Sequence, residues 1–239
     1  MNSHKFFLNI IFLFIVISAY AQSQGSPYSI SVNETSIIYD KSTGQKIDYK
    51  TFKELAQKNP GFILTPNYNE YGEASSFVFD ANIENNPKRF ARDTTLRTQG
   101  GQAFPPFIMT SISGEKIKSG ELKGKIIILN FQLFLRPPFL NEAAFQKFMQ
   151  LIVDDSIIKK NVFPIILTES SDAESKEFKD KNKVDFPVVP FAHNFEVKYL
   201  VTAFPTFIIV DKNGNLVSYF ENGDMKELQL ILNQLISLR

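Results

Sequence analysis

Apolar and polar positions follow two rhythms along this chain: short, loosely alternating stretches before about residue 80, and longer unbroken apolar runs after residue 104. In the first part, Ser29 to Tyr39 alternates and is rich in Ile, Val and Thr, which predicts a strand. Ser42-Thr43-Gly44 predicts a turn. Asp48 stands where a helix N-cap is expected, ahead of Tyr49 to Lys58, in which Phe52, Leu55 and Ala56 share one face. Asn59-Pro60-Gly61 stops that helix, and Phe62-Ile63-Leu64 and Ser76 to Phe79 predict strands joined by a polar loop around Asn67 to Glu73. Residues 22–82 therefore read as a small α+β N-terminal region. Residues 83–103 hold few apolar positions, with Asn85-Asn86-Pro87, the cations Lys88, Arg89, Arg92 and Arg97, and Gly100-Gly101. They read as a solvated linker, with a basic surface for an acidic partner as the alternative.

From Phe104 onward the pattern sharpens. Pro105-Pro106-Phe107-Ile108 opens a strand and Ser113-Gly114 turns it back. Ile126 to Phe131 is broken only by Asn130, as expected of a strand buried on both faces, and Val162 to Thr168 repeats the pattern. Helices are predicted from Pro137 to about Asp154, from an Asp172 cap to about Lys183, and over Asn194 to Leu200. Phe207 to Asp211 and Leu216 to Glu221 form a hairpin across Lys212-Asn213-Gly214-Asn215. Asp224 caps a last helix with Leu228, Ile231, Leu232 and Leu235 on one face. Strands alternating with helices, then a terminal hairpin and helix, predict an α/β fold: a mixed sheet flanked by helices.

The N-terminus adds a location. His4 and Lys5 precede an apolar run from Phe6 to Ile17, broken only by Asn9, and then Ala19-Tyr20-Ala21. This reads as a signal peptide over residues 1–21, cleaved near Ala21/Gln22. An uncleaved anchor is the alternative, but the run is shorter than the ~20 apolar residues that span a bilayer. No Cys follows the run, which excludes lipoprotein attachment. Export to the periplasm or cell envelope is expected, with no stable membrane insertion after cleavage.

Composition narrows the chemistry. The 239 residues carry a net charge of +1, and losing Lys5 with the signal peptide leaves the remainder balanced, so no nucleic-acid partner is indicated. With 24 Phe and no Trp, Phe fills the core. There is no Cys, hence no disulfide, no thiolate nucleophile and no cysteine metal site. One histidine, His193, remains beside scattered acids, which makes no zinc spacing, so no metal and no cofactor are expected. Asn33-Glu34-Thr35 matches a glycosylation acceptor, a pattern frequent by chance.

Residues 104–239 resemble the TlpA/ResA-type thioredoxin-like proteins, exported bacterial thiol–disulfide reductases. The resemblance rests on Leu122-Lys123-Gly124-Lys125, on Leu129-Asn130-Phe131, on Pro137-Pro138 with Glu142, and on Phe204-Pro205-Thr206-Phe207 followed by Asp211-Lys212-Asn213-Gly214, in register. These are similar to the family's L-x-G-K, L-N-F-W, W-C-P-P-C-x-x-E and cis-proline loop with its hairpin. The resemblance implies a thioredoxin-like domain over 104–239. It also implies that Arg136 and Phe139 occupy the two cysteine positions, that Gln132 occupies the position of a family Trp, and that Glu142 lies near the former redox centre.

Disulfide exchange needs one thiolate to attack sulfur and a second thiol to release the mixed disulfide. Arg is always protonated, Phe has no lone pair, and no other cysteine exists. A peroxiredoxin-like route fails for the same reason. No catalytic residue is assigned, and Arg136, Pro137, Pro138 and Phe139 are former motif positions only. Candidate binding residues are Phe134, Leu135, Phe204, Pro205, Thr206 and Glu142, as a surface for an extended peptide or an envelope protein. Inward packing of Phe134 and Leu135 is the other reading. Arg136 with the helix start is either an anion site or a solvent-facing charge. Besides a non-catalytic binding module, two further classes stay open. One is an enzyme, with a partner-dependent redox role or acid–base work by Glu142, His193 or Tyr199. The other is a structural subunit.

Overall fold

A computed structural model describes residues 31–81, 92–221 and 223–237. The expected signal peptide and the first two residues of the strand predicted over Ser29 to Tyr39 lie outside the described residues, as do residues 83–91 of the expected linker; residues 31–37 are described and are not strand, so that strand is confined to its end, Ile38–Asp40. Contacts divide the chain into residues 1–35 and one compact unit over 36–239. In the described end of the first, Asn33 Oδ1 accepts a 2.9 Å hydrogen bond from Thr35 N.

The larger unit opens with β1 (Ile38–Asp40), β2 (Lys46–Ile47), α1 (Tyr49–Lys58), β3 (Ile63–Tyr68) and β4 (Ala74–Asp80). These strands form a sheet in the order β2-β1-β4-β3, with β1 and β4 parallel. The small α+β region is present, although its first strand is only three residues long. Asp48 caps α1 by accepting from Thr51 N, as its sequence position predicts. Phe52 of α1 packs edge-on against Phe62 and Phe79, giving this sheet an aromatic core.

The second part runs through a two-stranded ribbon, β5 (Ile108–Thr110) with β6 (Lys116–Lys118), into β7 (Ile126–Gln132), α2 (Glu142–Val153), α3 (Ser156–Asn161), β8 (Val162–Thr168), α4 (Asp172–Asn182), β9 (Val188–Val189), α5 (His193–Lys198), β10 (Thr206–Val210), β11 (Leu216–Glu221) and α6 (Met225–Ser237). Its five-stranded sheet is ordered β11-β10-β7-β8-β9, with β7, β8 and β9 parallel and β10 antiparallel to both neighbours. This is the mixed thioredoxin-like sheet expected of residues 104–239. All seven residues of β7 are buried, because apolar layers cover both faces. Phe148, Phe178, Phe207, Leu228 and Leu232 lie in one layer. Phe104, Phe107, Phe131, Phe195 and Tyr199 lie in the other.

Three local expectations are corrected. The helix expected from Pro137 begins at Glu142, because the Asn141 side chain accepts from Ala144 N and sets the first turn there. The cap of α4 is Ser171, not Asp172; Ser171 and Glu174 complete a reciprocal capping box. The segment read as a solvated linker packs onto β11 where it is described. Gly101 N donates to Leu216 O, Leu216 N donates to Gln102 O, and Ala103 bridges Asn215. Among the described residues no helix is long and apolar enough to cross a membrane.

Candidate functional site

The parallel strands β7 and β8 bring their carboxyl ends to one edge of the sheet, where α/β folds commonly place ligands. The former redox segment follows β7 there. Arg136 O accepts from both Phe139 N and Leu140 N, so residues 136–140 form a tight turn ahead of α2. The Pro137–Pro138 and Phe204–Pro205 bonds are both cis.

The candidate residues divide by burial. Leu135 is 7% exposed and joins the core with Leu140, so its side chain cannot line an open surface. Its backbone N–H donates to Ser170 Oγ at 3.0 Å, which locks it inward. Thr206 is fully buried because it starts the central strand β10, and its hydroxyl donates to Ala203 O at 2.7 Å. It shapes the loop from beneath and is likewise removed from the contact surface. Phe139 is 46% exposed, and Phe134 stands edge-on to it at 5.1 Å between centroids. Phe204 and Pro205 are partly buried. Among the described residues, no hydrogen bond engages the Phe204 backbone N–H or C=O.

Arg136 does not stand at a helix start, since α2 begins six residues later. Its Nε lies 3.2 Å from Glu174 Oε1, and its guanidinium lies 5.5 Å from the Phe134 ring centroid. Arg136 is 59% exposed, in keeping with the solvent-facing reading, and its surface ion pair links the former motif to the first turn of α4 while its guanidinium covers one side of Phe134. Glu142 is exposed at the start of α2 and pairs with Lys181 at 3.5 Å. Gln132, at the family's Trp position, is buried and donates to Asn130 Oδ1 at 2.7 Å. A cavity of about 20 Å³ lies under Pro205 between Asn130, Phe145 and Phe148, and Asn130 Nδ2 has no hydrogen-bond partner.

A second cluster was not legible as a site. Glu169 directly follows β8, and its Oε1 lies 2.7 Å from His193 Nδ1. Glu196, one helical turn beyond His193 on α5, brings Oε2 to 3.8 Å from the same nitrogen. Burial holds the Glu196 carboxyl well above the ordinary carboxylate range, and the charge of Glu169 adds to the shift, while Arg92 at 3.7 Å opposes it. The only sequence signal was His193-x-x-Glu196 at helical spacing; Glu169 reaches it only through the fold.

The Phe204–Pro205 loop is held from the far side by Arg97. This guanidinium donates to Leu200 O, to Thr202 Oγ1 and to Glu221 Oε1, the last at 2.8 Å, and lies over the Tyr219 ring. The Arg97 hydrogen bond holds the Glu221 carboxyl below its ordinary value of 4.5. Burial pushes the Tyr219 hydroxyl up to about 12.

No family model matches the chain. The thioredoxin-like protein YneN of Bacillus subtilis is 30% identical over 119 residues, spanning 48% of this chain and 68% of that protein. The thiol-disulfide oxidoreductase ResA of Bacillus anthracis is 29% identical over 139 residues, spanning 55% and 75% respectively. Among solved structures, the C-terminal domain of a thiol-disulfide oxidoreductase from Bacteroides thetaiotaomicron covers 59% of this chain and 99% of its own at a TM-score of 0.51 and 16% identity. At that identity the likeness concerns the fold.

Proposed function

The chain belongs to the ResA-like family of thioredoxin-fold proteins, as a member without redox cysteines, and from this premise we propose that it is a non-catalytic docking module for extended peptide segments. Sulfur exchange by its own side chains is closed to it, because Arg136 and Phe139 supply no thiolate. What favours docking is a single juxtaposition: the unengaged Phe204 backbone stands ahead of Pro205, at the same end of the sheet as the exposed Phe139 and the half-buried Phe134 ring beside it. An extended peptide recognised there pairs its main chain with Phe204 and lays an apolar side chain against Phe139, a strand-addition mode in which backbone bonds give affinity and side-chain pockets give selectivity. Export follows in this reading from the N-terminal apolar run and its Ala19-Tyr20-Ala21 pattern, which places the partner in the cell envelope.

The test is a library of cysteine-free extended peptides titrated against the protein by fluorescence anisotropy. Binding weakened about tenfold or more by Phe139→Ser, roughly the loss of one buried aromatic contact, supports the reading. Equal binding by Phe139→Ser and the parent protein, or no binding by any peptide, overturns it. In a disulfide-reduction assay the protein is expected to match buffer; turnover by material free of contaminating reductases rejects the non-catalytic assignment. N-terminal sequencing of protein recovered from a bacterial envelope fraction tests export, with Gln22 as the expected first residue.

A further inference from the structure

Beyond the docking surface, the Glu169–His193–Glu196 cluster combines features that a purely structural ion pair does not require. One imidazole nitrogen and two carboxylate oxygens lie within 4.8 Å of one another. His193 and Glu196 are three residues apart on α5, a spacing that puts both on one helix face, and Glu169 meets them from the end of β8. The Glu196 side chain is 2% exposed, yet its Oε1 has no hydrogen-bond partner. A buried carboxyl oxygen without a partner is costly, and the Arg92 guanidinium lies 3.7 Å from the other oxygen, Oε2.

We propose that Glu169, His193 and Glu196 bind a divalent first-row transition ion of the zinc class. The donor set decides the class: one nitrogen with two carboxylates suits Zn²⁺ and its neighbours, whereas Ca²⁺ and Mg²⁺ favour all-oxygen shells. An ion among the three ligand atoms gives the buried Glu196 carboxyl group a cation partner inside the cluster. Arg92 then stands outside the metal as a partner of Glu196, of the kind that orients ligands in metal sites. Three protein ligands, with the His193 side chain 32% exposed, leave a position on the solvent side for water or a partner's donor group. The site does not depend on the peptide-docking reading.

The experiment uses the full chain, stripped with chelator and dialysed. Zn²⁺ is titrated by calorimetry, and Co²⁺ serves as a spectroscopic probe. One Zn²⁺ per chain, a visible Co²⁺ ligand-field spectrum and a rise in Tm with Zn²⁺ are expected. His193→Ala and Glu169→Gln should each weaken binding by more than the roughly 10–100-fold that loss of a supporting hydrogen bond costs a metal site. His4→Ala, which removes the other histidine, should change nothing. Shifts of the His193 imidazole resonances on Zn²⁺ addition provide a readout in the unmodified chain, so a variant that fails to fold does not decide the matter. No uptake at millimolar Zn²⁺, unmoved His193 resonances, or undiminished binding by either folded ligand variant overturns the proposal.

Discussion

Replacing Arg97 by Ala tests whether the segment before the thioredoxin-like sheet is part of the folded unit. The guanidinium is 15% exposed and donates through Nε and Nη2 to Leu200 O, at 3.1 and 2.8 Å, besides its bonds to Thr202 and Glu221. Leu200 has φ 56°, in the left-handed region that a side chain disfavours, so its conformation needs outside support. Hydrogen bonds to a charged donor are worth about 1.5–3 kcal/mol net each, but they do not add, and water replaces those at Thr202 and Glu221. Counting chiefly the fork on Leu200 O, Arg97→Ala should cost about 2–4 kcal/mol in urea unfolding. Arg97→Lys should recover only part, because an ammonium is a point donor and not a planar fork. The Glu221 share, measured by a double-mutant cycle, should stay below about 1 kcal/mol because that side chain is 35% exposed and its charge is screened by water. A loss under ~0.5 kcal/mol for Arg97→Ala, the range of ordinary surface changes, would refute the clamp. Leu200 and Thr202 lead into Phe204–Pro205, so the same variant should also weaken peptide binding.

Three further outcomes follow from the packing. Thr206→Val keeps the shape but removes the hydroxyl from Ala203 O, and should cost about 1 kcal/mol in denaturant unfolding. Gly72 has φ +73°, and an added Cβ would stand 3.1 Å from the Phe195 ring, so Gly72→Ala should lower stability by more than about 1 kcal/mol, seen as a lower Tm. The Glu221 pKa is lower folded than unfolded, so its contribution is present above the ordinary value of 4.5 and lost as pH falls through the lowered one. Stability measured below pH 4.5 should therefore fall with a shallower slope in Arg97→Ala than in the parent.

How much of this was legible depended on whether the signal was local. The runs Ile126–Phe131 and Val162–Thr168 announced central strands because burial on both faces leaves no polar alternation. Phe204-Pro205-Thr206 marked its loop because the motif is continuous in sequence. The ion pair of Arg136 was not legible because its partner, Glu174, lies on another element, and α2 was placed too early because its start is set by the Asn141 cap and not by the two prolines. Arg97 looked like a linker cation because its segment holds few apolar residues; its acceptors lie more than 100 residues away. Leu135 packs inward, as one of its two readings had it, whereas Thr206 carried no mark of its inward orientation, which strand pairing fixes.

The tip of the β3–β4 hairpin has a consequence for how this protein can be taken apart. Lys198 of α5 donates to Asn69 O in that tip and to Pro106 O, Glu70 O accepts from Ile108 N, and Gly72 lies against Phe195. A shortened chain starting at Phe104 would strip one acceptor from the Lys198 ammonium and bare the Phe195 ring, on the helix that carries His193 and Glu196. The front sheet is thus a keystone, not an appendage, and a recombinant fragment cut at the apparent domain border would be a damaged molecule.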